Sequence, residues 1–237
     1  MNENIASLMD EVRSNLELLE SNLPTRVDAK SVSTSKLPWK VLVHQAALAW
    51  RMAELARAAF QSFEQDTLVA AFVLTRAAVE TSAALWYSYT KVDEAIESNA
   101  VGDIDEYLMK LLSGMATTGL KADASDPEFP RPMKIQAFLN QVEKKIEGYS
   151  HQYGVLSEYA HPNGAATTIL YAKHDYEKRT TDFGKNMRKA DNTKLIGVVS
   201  LSVALKMFET SYKRIGELIP AFTKLCESGP GSVPAVT

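Results

Sequence analysis

Cysteine is almost missing from this chain: Cys226 is the only one in 237 residues. A lone thiol excludes an internal disulfide and any zinc site built on cysteines. An excess of one charge is missing too. The 26 basic and 29 acidic residues leave a formal net charge of −3. That balance lacks the dense basic face of a sequence-independent polyanion binder. At 46% hydrophobic the chain is also too apolar for a disordered one. There is no Gly-x-x-x-x-Gly-Lys loop, no Gly-x-Gly-x-x-Gly and no Gly-x-Ser-x-Gly elbow. No His-x-x-x-His pair or carboxylate–histidine spacing of the di-iron kind occurs, so neither a metal nor a cofactor is expected. Met1-Asn2-Glu3-Asn4 carries no basic region followed by an apolar stretch, and Asn2 does not fit the myristoylation pattern. The expected location is the cytoplasm.

Long uncharged runs are also few. Thr67 to Thr90 spans 24 residues and contains only two charges, Arg76 and Glu80, near its middle. A lipid-facing charge there would cost ~2.5–3.5 kcal/mol, so a buried bundle helix is expected rather than a membrane span. A second run, Leu195 to Leu205, is too short to cross a bilayer.

What is abundant is helical periodicity. Ile5, Leu8, Met9, Val12, Leu16, Leu19 and Leu23 recur at three- and four-residue steps, which predicts an amphipathic helix over 1–23. Residues 24–38 read as a linker, so this helix is expected to pack away from the main body or against a partner chain. Residues 39–227 form the expected bundle domain. Its firmest element is an antiparallel hairpin of Trp39–Phe63 and 67–90, joined by Gln65-Asp66-Thr67 with capping chemistry. Short helices are predicted at 92–99 and 103–112, with Asp103 as N-cap. A proline-bearing stretch at 113–133 reads as a mobile insertion or a lid. Helix returns over 133–147 and 149–160, and His161-Pro162-Asn163-Gly164 stops it. Within 165–184 a small β-hairpin is expected from Thr168–Ala172 and Arg179–Phe183. Asp191-Asn192-Thr193 caps a long helix that Pro220 kinks or restarts, and 228–237 reads as a disordered tail. The fold class is all-α: one helical bundle with an N-terminal helix on a linker and a small irregular or hairpin insertion.

Two constellations could carry function. Arg76 and Glu80 lie one turn apart on one helix face, and burying them requires that they be paired. They are either a structural ion pair or the polar floor of a pocket, with Tyr87 seven residues on extending the strip. Tyr149, Tyr153, Ser157 and His161 recur every four residues on one stripe of a later helix. A hydroxyl one turn before an imidazole suits proton transfer near neutral pH, whereas a histidine at a helix C-terminus is also ordinary stop chemistry. His44, in an alanine-rich helix, reads as a satisfied core or interface residue, and His151 and His174 as solvated. Lys173, Lys178, Arg179, Lys185, Arg188 and Lys189, interleaved with Tyr171, Tyr176 and Phe183, form a modest basic surface diluted by Asp175, Glu177 and Asp182.

Arg76-x-x-x-Glu80 followed by Tyr153-x-x-x-Ser157-x-x-x-His161-Pro162 resembles a bacterial all-helical family of unknown function, over roughly residues 65–220. The resemblance implies a helical bundle with no established activity. It also implies a shared site at Arg76, Glu80, Tyr153, Ser157 and His161. The architecture is similar to HEPN-type bundles, many of them dimeric, metal-independent ribonucleases of toxin and phage-defence systems. Their motif sets an arginine four to six residues before a histidine, and none of the four histidines here has one there.

The expected function is a binding or regulatory helical module with a buried polar site. It would self-associate through helix packing, take RNA or a protein as partner and involve no membrane. The alternative is a HEPN-like ribonuclease. Arg76, Glu80, Ser157 and His161 would be catalytic, and Tyr87, Tyr153 and Asn163 would contact substrate.

Overall fold

The computed structural model describes residues 3–29, 35–114, 131–185, 187 and 191–228. The first helix, α1 (Glu3–Ser21), buries its apolar stripe of Ile5, Met9, Val12 and Leu16. It lies on the body of the protein, contrary to the expectation that it packs away. Polar ties reinforce this docking: Arg57 Nε donates to Glu20 Oε1 at 2.8 Å, and Ser202 Oγ donates to Glu11 Oε1 at 3.0 Å. At the end of the helix, Trp50 Nε1 donates to the Pro24 carbonyl at 2.8 Å.

The central hairpin pairs α2 (Lys36–Glu64) with α3 (Leu68–Glu97). Ser35 caps α2 by accepting from the Leu37 amide. At the turn Asp66 adopts φ 51°, and the Thr67 hydroxyl donates back to the Ser62 carbonyl instead of capping α3. α3 runs unbroken through residues 92–97, where a separate short helix was expected. Its apolar face there, with Val92 and Ala95 buried, continues the same stripe.

α4 (Ile104–Ser113) follows, and Asp103 gives it no side-chain cap. Most of the expected insertion at 113–133 falls outside the described residues. α5 (Ile135–Glu143) and α6 (Tyr149–Ala160) then pack on α3. Gly148, at φ 83°, makes the sharp turn between them. Glu143 accepts from the Gly148 and Ser150 amides at 2.9 and 2.7 Å, which caps α6 from the preceding helix. Those backbone donors hold its carboxyl below the usual range.

A π-helical turn (Ala165–Ile169) closed by Ile169 N to Gly164 O at 2.9 Å takes up residues expected to begin a strand. The hairpin therefore starts later than predicted, pairing β1 (Ala172–Asp175) with β2 (Thr180–Phe183) in antiparallel register, Ala172 opposite Phe183. The last helix, α7 (Asp191–Ser228), lies against α1, α2 and α3 and completes the bundle. It passes through Pro220 without restarting. Pro220 and Gly216, whose carbonyl loses its amide donor, are both exposed, so water can satisfy that carbonyl. The expected tail lies outside the described residues beyond 228.

α3 and α7 are both long and apolar enough to cross a membrane by length and composition alone. The apolar stretch of α7 is thus longer than Leu195–Leu205 suggested. In the fold both are core helices, with 61% and 56% of their apolar windows buried inside the protein.

Candidate functional site

The α3–α6 contact is built from tyrosines one or more turns apart. Tyr149, buried, donates its hydroxyl to the Val79 carbonyl at 3.1 Å. Tyr159 stacks on Phe72 with ring centroids 4.3 Å apart. Between them the Tyr153 hydroxyl meets Arg76 and Glu80 of α3. It accepts from Arg76 Nε and Nη2 at 2.9 and 2.7 Å and donates to Glu80 Oε1 at 2.7 Å. Arg76 Nε lies 3.3 Å from the same carboxylate oxygen, and the guanidinium carbon sits 5.0 Å from the Tyr153 ring centroid.

Arg76 and Glu80 are each 28% exposed, so they form a half-buried pair rather than a fully desolvated one. Burial and the Glu80 carboxylate raise the pKa of the Tyr153 phenol, which therefore keeps its proton and donates it to Glu80. Replacing Tyr153 by phenylalanine removes hydrogen bonds to two charged groups and leaves only the 3.3 Å ion pair. The expected cost is about 1–2 kcal/mol, checked by thermal melts of Tyr153→Phe beside the parent.

The other residues of the two constellations lie elsewhere. Ser157 turns its hydroxyl onto the Tyr153 carbonyl of its own helix at 2.9 Å. His161 is the C-terminal cap of α6, at φ −90° and ψ 149°, and is exposed. Its imidazole forms no hydrogen bond or ion pair with any described residue; its backbone alone is engaged, the amide donating to the Ser157 carbonyl at 3.0 Å and the carbonyl accepting from the Asn163 amide at 2.8 Å. Asn163 organises the turn that follows, its Oδ1 accepting from the Ala165 and Ala166 amides at 3.0 and 3.3 Å. Tyr87 does not extend the polar strip. Its ring packs against Tyr107 and Phe138, with centroids 5.0 and 5.6 Å away.

His44 is buried as expected, but its Nε2 has no hydrogen-bond partner. His151 is exposed, and His174 Nδ1 lies 2.9 Å from the Thr181 hydroxyl. Of the basic surface, Lys173, Lys178, Arg179 and Lys185 sit on or beside the hairpin, where Tyr176 is 85% and Phe183 76% exposed. Arg188 and Lys189 lie outside the described residues.

A cleft of about 260 Å³ opens beside Glu80, between α2, α3 and α5. Leu48, Ala84, Met133 and Phe138 give it apolar walls, and Arg51 faces the same space. Arg51 Nε donates to the Thr81 hydroxyl at 3.1 Å, and no carboxylate pairs with it among the described residues. Sequence reasoning missed Arg51. Its only signal was its place among the alanines of Trp39–Phe63, a stretch that also holds Arg57.

Chemically, the site offers one cation, one anion and an apolar wall, with the second cation already engaged. Among the described residues no group of three or more histidine, cysteine or carboxylate side chains is placed to hold a metal. Compared with protein-family models, curated proteins and solved structures, the chain has no match.

Proposed function

We propose that the protein is a non-catalytic binding module whose recognition site is the cleft flanked by Arg51 and Glu80. The observation that carries this reading is the closure of the polar network. The Tyr153 hydroxyl engages both Arg76 and Glu80, while the imidazole of His161 stays outside it. General acid–base catalysis needs a proton donor and an acceptor that both reach the substrate; here the Tyr153 proton is committed to Glu80, so the network leaves a carboxylate at the cleft with no acid beside it. It fixes α6 on α3 and holds the Glu80 carboxylate at the cleft.

The ligand class that suits the cleft is a polypeptide segment. Apolar walls accept a side chain, and a cation and an anion on the rim suit a partner carrying charge of both signs. Glu80 disfavours an RNA phosphate at the same place.

Two measurements test the proposal. Selection from a random peptide display library against the purified protein should enrich binders that lose at least tenfold in affinity for Arg51→Ala. Enrichment of nothing, or binders indifferent to Arg51→Ala and Glu80→Gln alike, overturns it. Incubation with total RNA in EDTA should leave the RNA intact. Cleavage by the parent that both His161→Ala and Arg76→Ala abolish would establish the ribonuclease instead.

A further inference from the structure

A second cavity shares no lining residue with the cleft. It holds about 370 Å³ and lies where α1 crosses α2 and α7. That volume falls within the usual range for small-molecule sites. Leu19, Ala49, Leu205 and Phe208 form its walls, and Leu18, half exposed, stands at its edge.

The polar groups around this space are few and distinctive. Asn15 and Tyr212 line it, and neither the Asn15 amide nor the Tyr212 hydroxyl hydrogen-bonds any described residue. The Tyr212 ring packs on Phe208 with centroids 6.2 Å apart, and burial raises its phenol pKa, so it stands as a neutral donor and acceptor. The two charges that line the cavity, Glu209 and Lys213, are one turn apart and pair with each other at 2.5 Å. That pair is exposed to water at the mouth, 68% and 38%, so the groups facing the apolar space, Asn15 and Tyr212, carry no charge.

We infer that this cavity binds a neutral amphiphile, an apolar body carrying one hydrogen-bonding group, with the body against Leu205 and Phe208 and the polar group at Asn15 or Tyr212. The uncharged interior is what selects the class. A carboxylate or an amine entering beside Leu19 and Phe208 would be desolvated with no opposite charge inside to compensate it, whereas an alcohol or amide hydrogen-bonds Asn15 or Tyr212 at no charge cost.

The test uses the full chain and N-phenyl-1-naphthylamine, a neutral fluorescent probe with one N–H. Blue-shifted emission saturating at one probe per chain is expected. Nonanol should displace the probe at least tenfold more effectively than nonanoate. Leu18→Lys, at a half-exposed position, and Leu205→Phe, which fills the space, should each weaken probe binding at least tenfold while retaining helical circular dichroism. Absence of saturable binding overturns the inference. So does equal displacement by nonanoate, or unchanged binding in a folded Leu18→Lys variant. If the parent binds no probe and sediments as a dimer, the cavity is instead a self-association surface. Failure here leaves the Arg51–Glu80 cleft untouched, because peptide binding there is measured with separate variants.

Discussion

Lowering the pH from 7 to 4 is expected to remove about 3 kcal/mol of stability through one residue, His44. Its ring is buried in α2 with Nε2 unpartnered, and burial pulls its pKa from 6.5 down to about 4. The folded state therefore keeps His44 neutral at pH values where the unfolded chain already binds a proton. Stability is highest above pH 6.5, falls as the pH drops towards 4, and levels off below it. The slope approaches one proton's worth, about 1.4 kcal/mol per pH unit.

Denaturant titrations at several pH values measure this directly. The carboxyls of Glu11 and Glu20, held low by hydrogen bonds from Lys206 and Arg57, respond only below their ordinary value of 4.5. The interval from 6.5 to 4.5 therefore isolates the histidine. His44→Leu should flatten the profile across it. At pH 7.5 the same variant should be no less stable, since the unpartnered nitrogen is gone and the volume is similar. A parent profile already flat between pH 6.5 and 4.5 would show that His44 is hydrated or paired.

Gly197→Ala is expected to destabilise the protein by about 2 kcal/mol, although alanine is the better helix former by ~1 kcal/mol. Gly197 is where α7 crosses the hairpin. A Cβ there would stand 2.5 Å from Phe63 Cζ and 3.2 Å from Phe72 Cζ. Those rings are fully buried and meet edge to face, and Phe72 is stacked in turn on Tyr159. No ring can retreat without disturbing the next, so the overlap is relieved by moving α7 away from the hairpin.

A melting temperature lower by ~4–8 °C would register the change. Gly216→Ala supplies the internal control. It lies on the same helix, exposed, with nothing within 4 Å of the added carbon. That substitution should raise stability by up to ~1 kcal/mol. If both glycines respond alike, helix propensity rather than packing governs α7.

The proposed site shows how far spacing carries and where it stops. Four-residue steps place Arg76 and Glu80 on one face, and they place Tyr153 and Ser157 on one stripe of α6. That much holds inside any helix. Extending the series to His161 assumed that the helix continues, but Pro162 forces the preceding residue into extended geometry, so the imidazole leaves the stripe. Ser157 keeps its register and still contributes nothing, because a mid-helix serine can satisfy itself on its own backbone. Tyr87 shares a helix with Glu80, yet α4 and α5 supply Tyr107 and Phe138 and draw its ring into apolar contact.

By itself, then, the sequence determined most of the helices, the α2–α3 hairpin and the pairing of Arg76 with Glu80, since each depends on residues within a few turns of one another. Tertiary structure alone decided that Tyr153 bridges the pair, that Arg51 faces Glu80 and that α1 closes over Ala49 and Phe208 to enclose a cavity. It also decided that Arg76 and Glu80 remain 28% exposed instead of buried. The physical reason is that periodicity specifies which face of a helix is apolar but not which neighbour covers it. That choice is made by side-chain shape, through contacts such as Gly197 against Phe63, between residues more than a hundred positions apart.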